Sequence, residues 1–201
     1  MTSRPIPALL LLTLAACASS PPTRFFALDP TAGGAPAAAP GGEDHNAAPP
    51  VKIDAVHIPP ALDRNSMVRG ESANQLQISS QDRWAGDLAE MIRRVLTQDL
   101  AGRLPAGMVI APDSPAPPSA RGLVVDILTF QPQATGEVVL DADWTLLEGT
   151  QSNPVLRRSV HLTGAGASSA QGEAAAMSTL LGQLADSIAG EIGGASQGRQ
   201  R

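Results

Sequence analysis

Tyrosine is missing from the chain, cysteine occurs once, at Cys17, and the other aromatic side chains amount to Phe25, Phe26, Phe130, Trp84 and Trp144. So few rings argue against an aromatic-lined sugar groove or a stacking platform for nucleic-acid bases. A lone cysteine excludes an intramolecular disulfide, so an oxidising compartment leaves the fold to its own core. Basic side chains are also in short supply: 14 Lys and Arg stand against 19 Asp and Glu, and 13 against 19 once residues 1–16 are removed. That balance makes nucleic acid a poor candidate partner, because binding it depends on neutralising phosphates.

Catalytic and metal-binding patterns are equally scarce. His45, His57 and His161 lie far apart with no ligand spacing, which argues against a metal site. No serine stands in a GxSxG context and no second thiol supports a cysteine nucleophile. Gly164-Ala165-Gly166 lacks the lysine of a phosphate loop and reads as a chain reversal between strand and helix. Asp141 and Asp143 fall on one strand face about 7 Å apart, the arrangement of paired acid/base carboxylates, but an alternating solvated face gives the same pattern. The reading is therefore a non-enzyme with no catalytic, cofactor or metal residue.

What is present starts at the amino terminus. Arg4 precedes an apolar run over residues 6–16 that is broken only by Thr13, the layout of a secretory signal. As a helix those residues rise about 16 Å, well short of the roughly 30 Å of a bilayer core. The run ends in Leu14-Ala15-Ala16-Cys17, which resembles the lipobox of bacterial lipoproteins, where the thiol is acylated and the signal is cut before it. A thiol is the strongest nucleophile available for such a transfer, and two or three acyl chains anchor stably where one does not. The alternative is a secreted protein with a buried or reactive cysteine. The expected organisation is a signal peptide at residues 1–16, a lipidated tether at 17–24, one domain at 25–193 and a disordered tail at 194–201. The Ala/Pro/Gly-rich residues 31–50 form a disordered loop within that domain.

Hydrophobic periodicity fills in the domain. Phe25 to Leu28 reads as a short strand closed by Asp29-Pro30, and Val51 to Ile58 alternates as a second. Residues 61–74 are polar to mixed and precede a short strand at 75–79. A helix is expected from Ser79, with Asp82 completing a capping box and Trp84, Leu88, Met91, Ile92, Val95 and Leu96 on one face. Asp99 falls inside that apolar stripe, either bonded to a neighbouring loop or Arg103, or buried as a partner-sensing carboxylate. After Met108 to Ala111, an almost wholly apolar run at 122–130 and two runs of period two at 137–147 and 155–163 predict an antiparallel meander. A second helix spans 171–192, carries Met177, Leu180, Leu181, Leu184, Ile188 and Ile192 on one face, and stops at Gly193-Gly194. The fold class is α+β: a mostly antiparallel sheet with two amphipathic helices packed on one face.

The ordered series of short motifs resembles a known family. Arg24-Phe25-Phe26-Ala27-Leu28-Asp29-Pro30, Val56-His57-Ile58-Pro59, Leu62-Asp63-Arg64, Asn74-Gln75-Leu76-Gln77, Asp82-Arg83-Trp84 and Leu100-Ala101-Gly102-Arg103-Leu104 follow the lipobox. Together they look like the ABC-type transport auxiliary lipoprotein family, the PqiC-like paraquat-inducible lipoproteins. The match covers residues 25–104 closely; the long Ala/Pro/Gly loop departs from it, as does Phe-Phe where the family often has Tyr-Tyr. The resemblance implies a periplasm-facing lipoprotein, lipid-anchored through Cys17 on the outer membrane, that assists an Mce-domain (PqiB-like) protein and its transporter components in lipid transport between membranes. It implies no catalytic residue. Ala18, where an aspartate would resemble an inner-membrane retention signal, favours the outer membrane. A homo-oligomer stays open, as does the alternative of a lipoprotein that carries lipid in its own cavity. Leu62, Asp63, Arg64, Met67 and Val68 are the candidate partner surface, because core patterning does not account for them; the alternative is a loop that tucks Met67 into its own core.

Overall fold

The computed structural model describes residues 21–33, 49–148, 153–166 and 168–198, with side chains described to residue 193. The expected signal peptide, Cys17, residues 34–48 of the expected loop and residues 199–201 lie outside the described residues. The elements run in the order β1 (Arg24–Phe26), β2 (Val51–His57), β3 (Ser66–Ser72), β4 (Gln75–Trp84), α1 (Leu88–Ala101), β5 (Val109–Ile110), β6 (Arg121–Pro132), β7 (Val138–Glu148), β8 (Asn153–Gly164) and α2 (Ala170–Gly198).

The class is α+β, but the strands form two sheets. The larger has the order β5-β2-β6-β7-β8, with β2 parallel to both β5 and β6 and the expected antiparallel meander running through β6, β7 and β8. Long ladders make the structure mostly antiparallel. Leu123, Val125, Ile127 and Phe130 of β6 face the same side as Val138, Leu140, Ala142, Trp144 and Leu146 of β7, and all are buried. A register shift between Ile127 and Thr129 changes the phase of β6. It turns Phe130 into the core and leaves Leu128 exposed. Both helices cover this face: Ile92, Val95 and Leu96 of α1 and Leu180, Leu181, Leu184 and Ile188 of α2 are completely buried. Covering a sheet face with two helical stripes removes most of the chain's apolar surface from water, the main favourable contribution to folding. Among the described residues no helix is long and apolar enough to cross a membrane.

The smaller sheet, β1-β4-β3, corrects the sequence reading at two places. Residues 61–74, read as an irregular polar segment, contain β3, which pairs antiparallel with β4. The helix expected from Ser79 begins at Leu88, and Ser79 to Trp84 continue as strand. Ser79 does accept from the Asp82 amide at 2.9 Å, but β1 pairs with residues 82–84 in a parallel ladder and keeps them extended. The helix is capped instead by Asp87, whose carboxylate accepts from the Glu90 amide at 2.9 Å. Trp84 is buried from β4 rather than from a helix. A third difference lies at the carboxyl end. α2 continues through Gly193 and Gly194 to Gly198, since glycine permits a left-handed stop without enforcing one.

Candidate functional site

The expected partner surface separates into two parts. Leu62, Met67 and Val68 are buried in the core, Met67 and Val68 because β3 packs the small sheet against the domain. Asp63 and Arg64 are exposed on the turn before β3, with Arg64 Nε donating to the Ala61 carbonyl at 2.8 Å. The apolar residues proposed as exposed are thus core residues, and only the two charged ones remain on the surface.

A different set of residues converges on the segment that enters the domain from the amino terminus. Arg24 opens β1 and donates to Asp82 of β4 through Nε at 2.9 Å and Nη2 at 2.6 Å, while its guanidinium lies 5.9 Å from the Phe26 ring centroid. Leu28, two residues past β1, is completely buried. The Asp29 amide donates to Ser178 Oγ of α2 at 3.1 Å, and that hydroxyl donates to the Ala174 carbonyl. The Thr31 amide donates to Asp99 of α1 at 2.7 Å. Arg103 closes the arrangement: it reaches Asp99, the Thr31 carbonyl and hydroxyl, and Asp186 of α2 at 2.6 Å. Residues 24–31 are therefore tied in turn to the small sheet, to α2 and to α1.

Two buried carboxylates carry these ties. Burial opposes ionisation of Asp82, but hydrogen bonds from Arg24, Ser79 and Arg69, with the charge of Arg24, outweigh it and hold the carboxyl below its ordinary value. Arg69 continues the network to Glu173 in the first turn of α2 through a two-pronged pair at 2.7 and 2.6 Å. Its guanidinium pKa is raised, first by the hydrogen bonds it donates to Glu173 and against the desolvation that lowers it. Asp99 behaves the other way. Burial pushes its carboxyl up, against the Thr31 amide and the charge of Arg103, and its Oδ2 is buried without a partner.

Alongside the tied segment runs an open groove of about 600 Å³, lined by Phe25, Phe26, Asp29, Thr31, Ala174 and Ser178 among others. The opposite sheet face is polar: Asp141 pairs with His161, and Asp143 accepts from Arg157 at 2.9 Å and Ser159 at 2.6 Å. These partners lie directly across or diagonally on β8. The Ser159 hydrogen bond and then Arg157 hold Asp143 below its ordinary value, so Asp141 and Asp143 are members of separate cross-strand pairs on a wet face. Among the described residues no group of three or more His, Cys, Asp or Glu is placed to hold a metal ion.

Sequence reasoning singled out Asp99 and its neighbour Arg103 but missed Asp82, Arg69 and Glu173. Asp82 reads as part of a cap, and Arg69 and Glu173, 104 positions apart, give no local signal.

Comparison with known proteins agrees with this architecture. The family model described as the ABC-type transport auxiliary lipoprotein component matches residues 28–189. A solved structure of an uncharacterised protein shares 20% identity, with 85% of this chain and 99% of that chain covered and a TM-score of 0.67. A second, from Xanthomonas campestris, shares 14% identity over 89% of this chain and 100% of that chain, with a TM-score of 0.65. At such identities the likeness to both shows the fold alone. No curated protein matches the chain in sequence.

Proposed function

The chain belongs to the ABC-type transport auxiliary lipoprotein family, and from that premise we propose that it is the anchored docking component of an intermembrane lipid-transport system. Cys17 carries the acyl chains, the domain faces the periplasm from the outer membrane, and the partner is an Mce-domain protein with its associated transporter components. The observation that carries this reading is the tying of residues 24–31 to both helices and the small sheet. A passenger domain needs only a loose tether. Here the segment that follows the tether is built into the fold from Arg24 on, so the chain leaves the domain toward the anchor at a fixed place.

Crosslinking in cells followed by mass spectrometry of the captured proteins tests the partner. The expected product contains an Mce-domain protein or a transporter component, and recovery of general envelope proteins alone overturns the reading. Cys17→Ser should leave a full-length, non-acylated precursor whose domain is folded, read by mass and circular dichroism. A stoichiometric phospholipid in native mass spectra of the detergent-free protein would replace the dock with a carrier.

A further inference from the structure

The β3–β4 hairpin projects beyond the core. From Glu71 to Ile78 every residue is exposed, and two of them are large and apolar: Leu76 is 43% exposed and Ile78 50%. They lie two apart on one face of β4. Residues 72–81 carry no charge. Among the described residues β1 pairs with β4 only at Asp82 to Trp84.

The direction of β1 decides what stands opposite this surface. β1 is parallel to β4, with Arg24 opposite Asp82 and Phe26 opposite Trp84. Moving toward the amino terminus from Arg24 is therefore moving along β4 toward Gln75 and the hairpin turn. Seven residues, Cys17 to Thr23, separate the anchoring cysteine from Arg24, and seven, Gln75 to Gln81, separate the turn from Asp82. At about 3.3 Å per residue both spans reach about 23 Å. The β6–β7 turn lies at the same end, since a Cβ on Gly70 of β3 would meet the side chains of Gln131 and Gln133.

We propose that the tip of the β3–β4 hairpin, through Leu76 and Ile78, rests in the headgroup layer of the bilayer that holds the acylated Cys17. This deepens the anchored reading above and rests on it. The occupant is a lipid surface because β1 points its amino-terminal end toward this tip and the seven residues from Cys17 to Thr23 are enough, at about 3.3 Å each, to bring the anchor level with it. Apolar side chains among neutral polar ones suit an interfacial site, where a protein surface sinks about 5–10 Å into the headgroup boundary. The turn residues and the polar side chains Asn74, Gln75 and Gln77 fix the depth, because headgroups and water satisfy their polar groups and hydrocarbon does not. Glu71 lies level with Leu76 and accepts from Gln75 Nε2 at 2.9 Å, a charge that the polar headgroup layer can solvate but hydrocarbon cannot. The tip and the acyl chains together form two contacts with the membrane, which set the tilt of the domain as well as its distance.

The test uses the acylated full-length protein, whose Cys17 thiol is blocked, with Gln77→Cys labelled by an environment-sensitive dye. A second protein carries the dye at Ser119→Cys, just before the start of the 12-residue β6, a strand about 40 Å long whose other end lies beside the hairpin. Both are reconstituted in vesicles of phosphatidylethanolamine and phosphatidylglycerol, with and without lipids brominated near the headgroup. Bromine should quench the dye at position 77 and leave position 119 unaffected, and Leu76→Ser with Ile78→Ser should abolish the quenching while the protein stays on the vesicles. Acylated protein that shows no quenching at 77 overturns the tip contact and leaves the anchor standing. A blue shift at 77 without bromine quenching means that a second copy or a protein strand covers the tip, and also overturns it. Absence of the acyl mass overturns the anchor and this inference with it.

Discussion

The two ends of the segment between Arg24 and Thr31 are held by carboxylates of similar burial and opposite electrostatics. Asp82 is 6% exposed and Asp99 is 1%. Asp82 faces two guanidinium groups, from Arg24 and Arg69, and its charged form is favoured. Asp99 has one guanidinium at 3.4 Å, shared with Asp186, the backbone amide and hydroxyl of Thr31 on one oxygen and a second oxygen left bare, and its charged form is disfavoured. Burial alone therefore does not decide the state of a carboxylate; the number and distance of compensating donors does. The Asp82 end is an ion-pair network that joins β1, β4, β3 and α2. The Asp99 end is mainly a backbone latch with an electrostatic cost built in.

The largest expected effect breaks the first end. Asp82→Ala strips Arg24 and Arg69 of a shared buried partner and should cost about 3 kcal/mol, measured from the urea midpoint at constant m. A loss under about 1 kcal/mol, the range of surface pairs, would place the strength of this end elsewhere. At the second end the steric partner is Gly182 of α2, where a Cβ would fall on the Thr31 hydroxyl and close to Arg103. Gly182→Ala should destabilise by about 1–2 kcal/mol, although alanine is the better helix former. Stabilisation by this change would show that Thr31 is not latched against α2.

Titration sharpens the contrast. The folded value of Asp82 lies below the unfolded one, so its contribution is complete above about 3.8 and is lost as pH falls through the folded value. The folded value of Asp99 lies above the unfolded one. Its effect favours folding below about 3.8 and turns against it as pH rises through the raised value. Asp99→Asn should stay within about 1 kcal/mol of the parent at neutral pH and gain on it as pH rises from acid to neutral. Asp82→Asn should show a constant deficit over the same range that closes only at lower pH. Denaturation at several pH values reads both, and parallel curves for the two variants would sink the distinction. The smallest effect is a control. Gly190 is exposed with nothing within 4 Å of a Cβ, so Gly190→Ala should stabilise α2 by about 0.5–1 kcal/mol.

Much of the architecture was legible because it rests on local periodicity. An apolar run followed by period two over residues 122–163 gave the meander and its buried side, and period 3.6 gave the face of α2 residue for residue. The hairpin of β3 and β4 was not legible. β3 carries a register shift between Ser66 and Val68 and another between Gly70 and Ser72, which spoil simple alternation. Ser79 and Asp82 imitate a helix cap and in fact make the cap-like hydrogen bond inside a strand. At the candidate site Asp99 stood out because an acid in an apolar stripe is a local contradiction. Asp82, Arg69 and Glu173 gave no such sign, since each looks like an ordinary surface charge among its sequence neighbours.

The sequence by itself determined the fold class, the helical and strand faces that make the core, and the order of motifs that points to the family, because these depend on spacings of two to four residues along the chain. Tertiary structure alone decided that Ser79 to Trp84 are strand, that Met67 and Val68 are core, and that one carboxylate is stabilised as an ion while another is strained. Those outcomes depend on partners 58 to 104 residues away, Arg24 for Asp82 and Glu173 for Arg69. Long-range pairing overrides a local preference of about 1 kcal/mol, and only the folded chain shows which pairings are made.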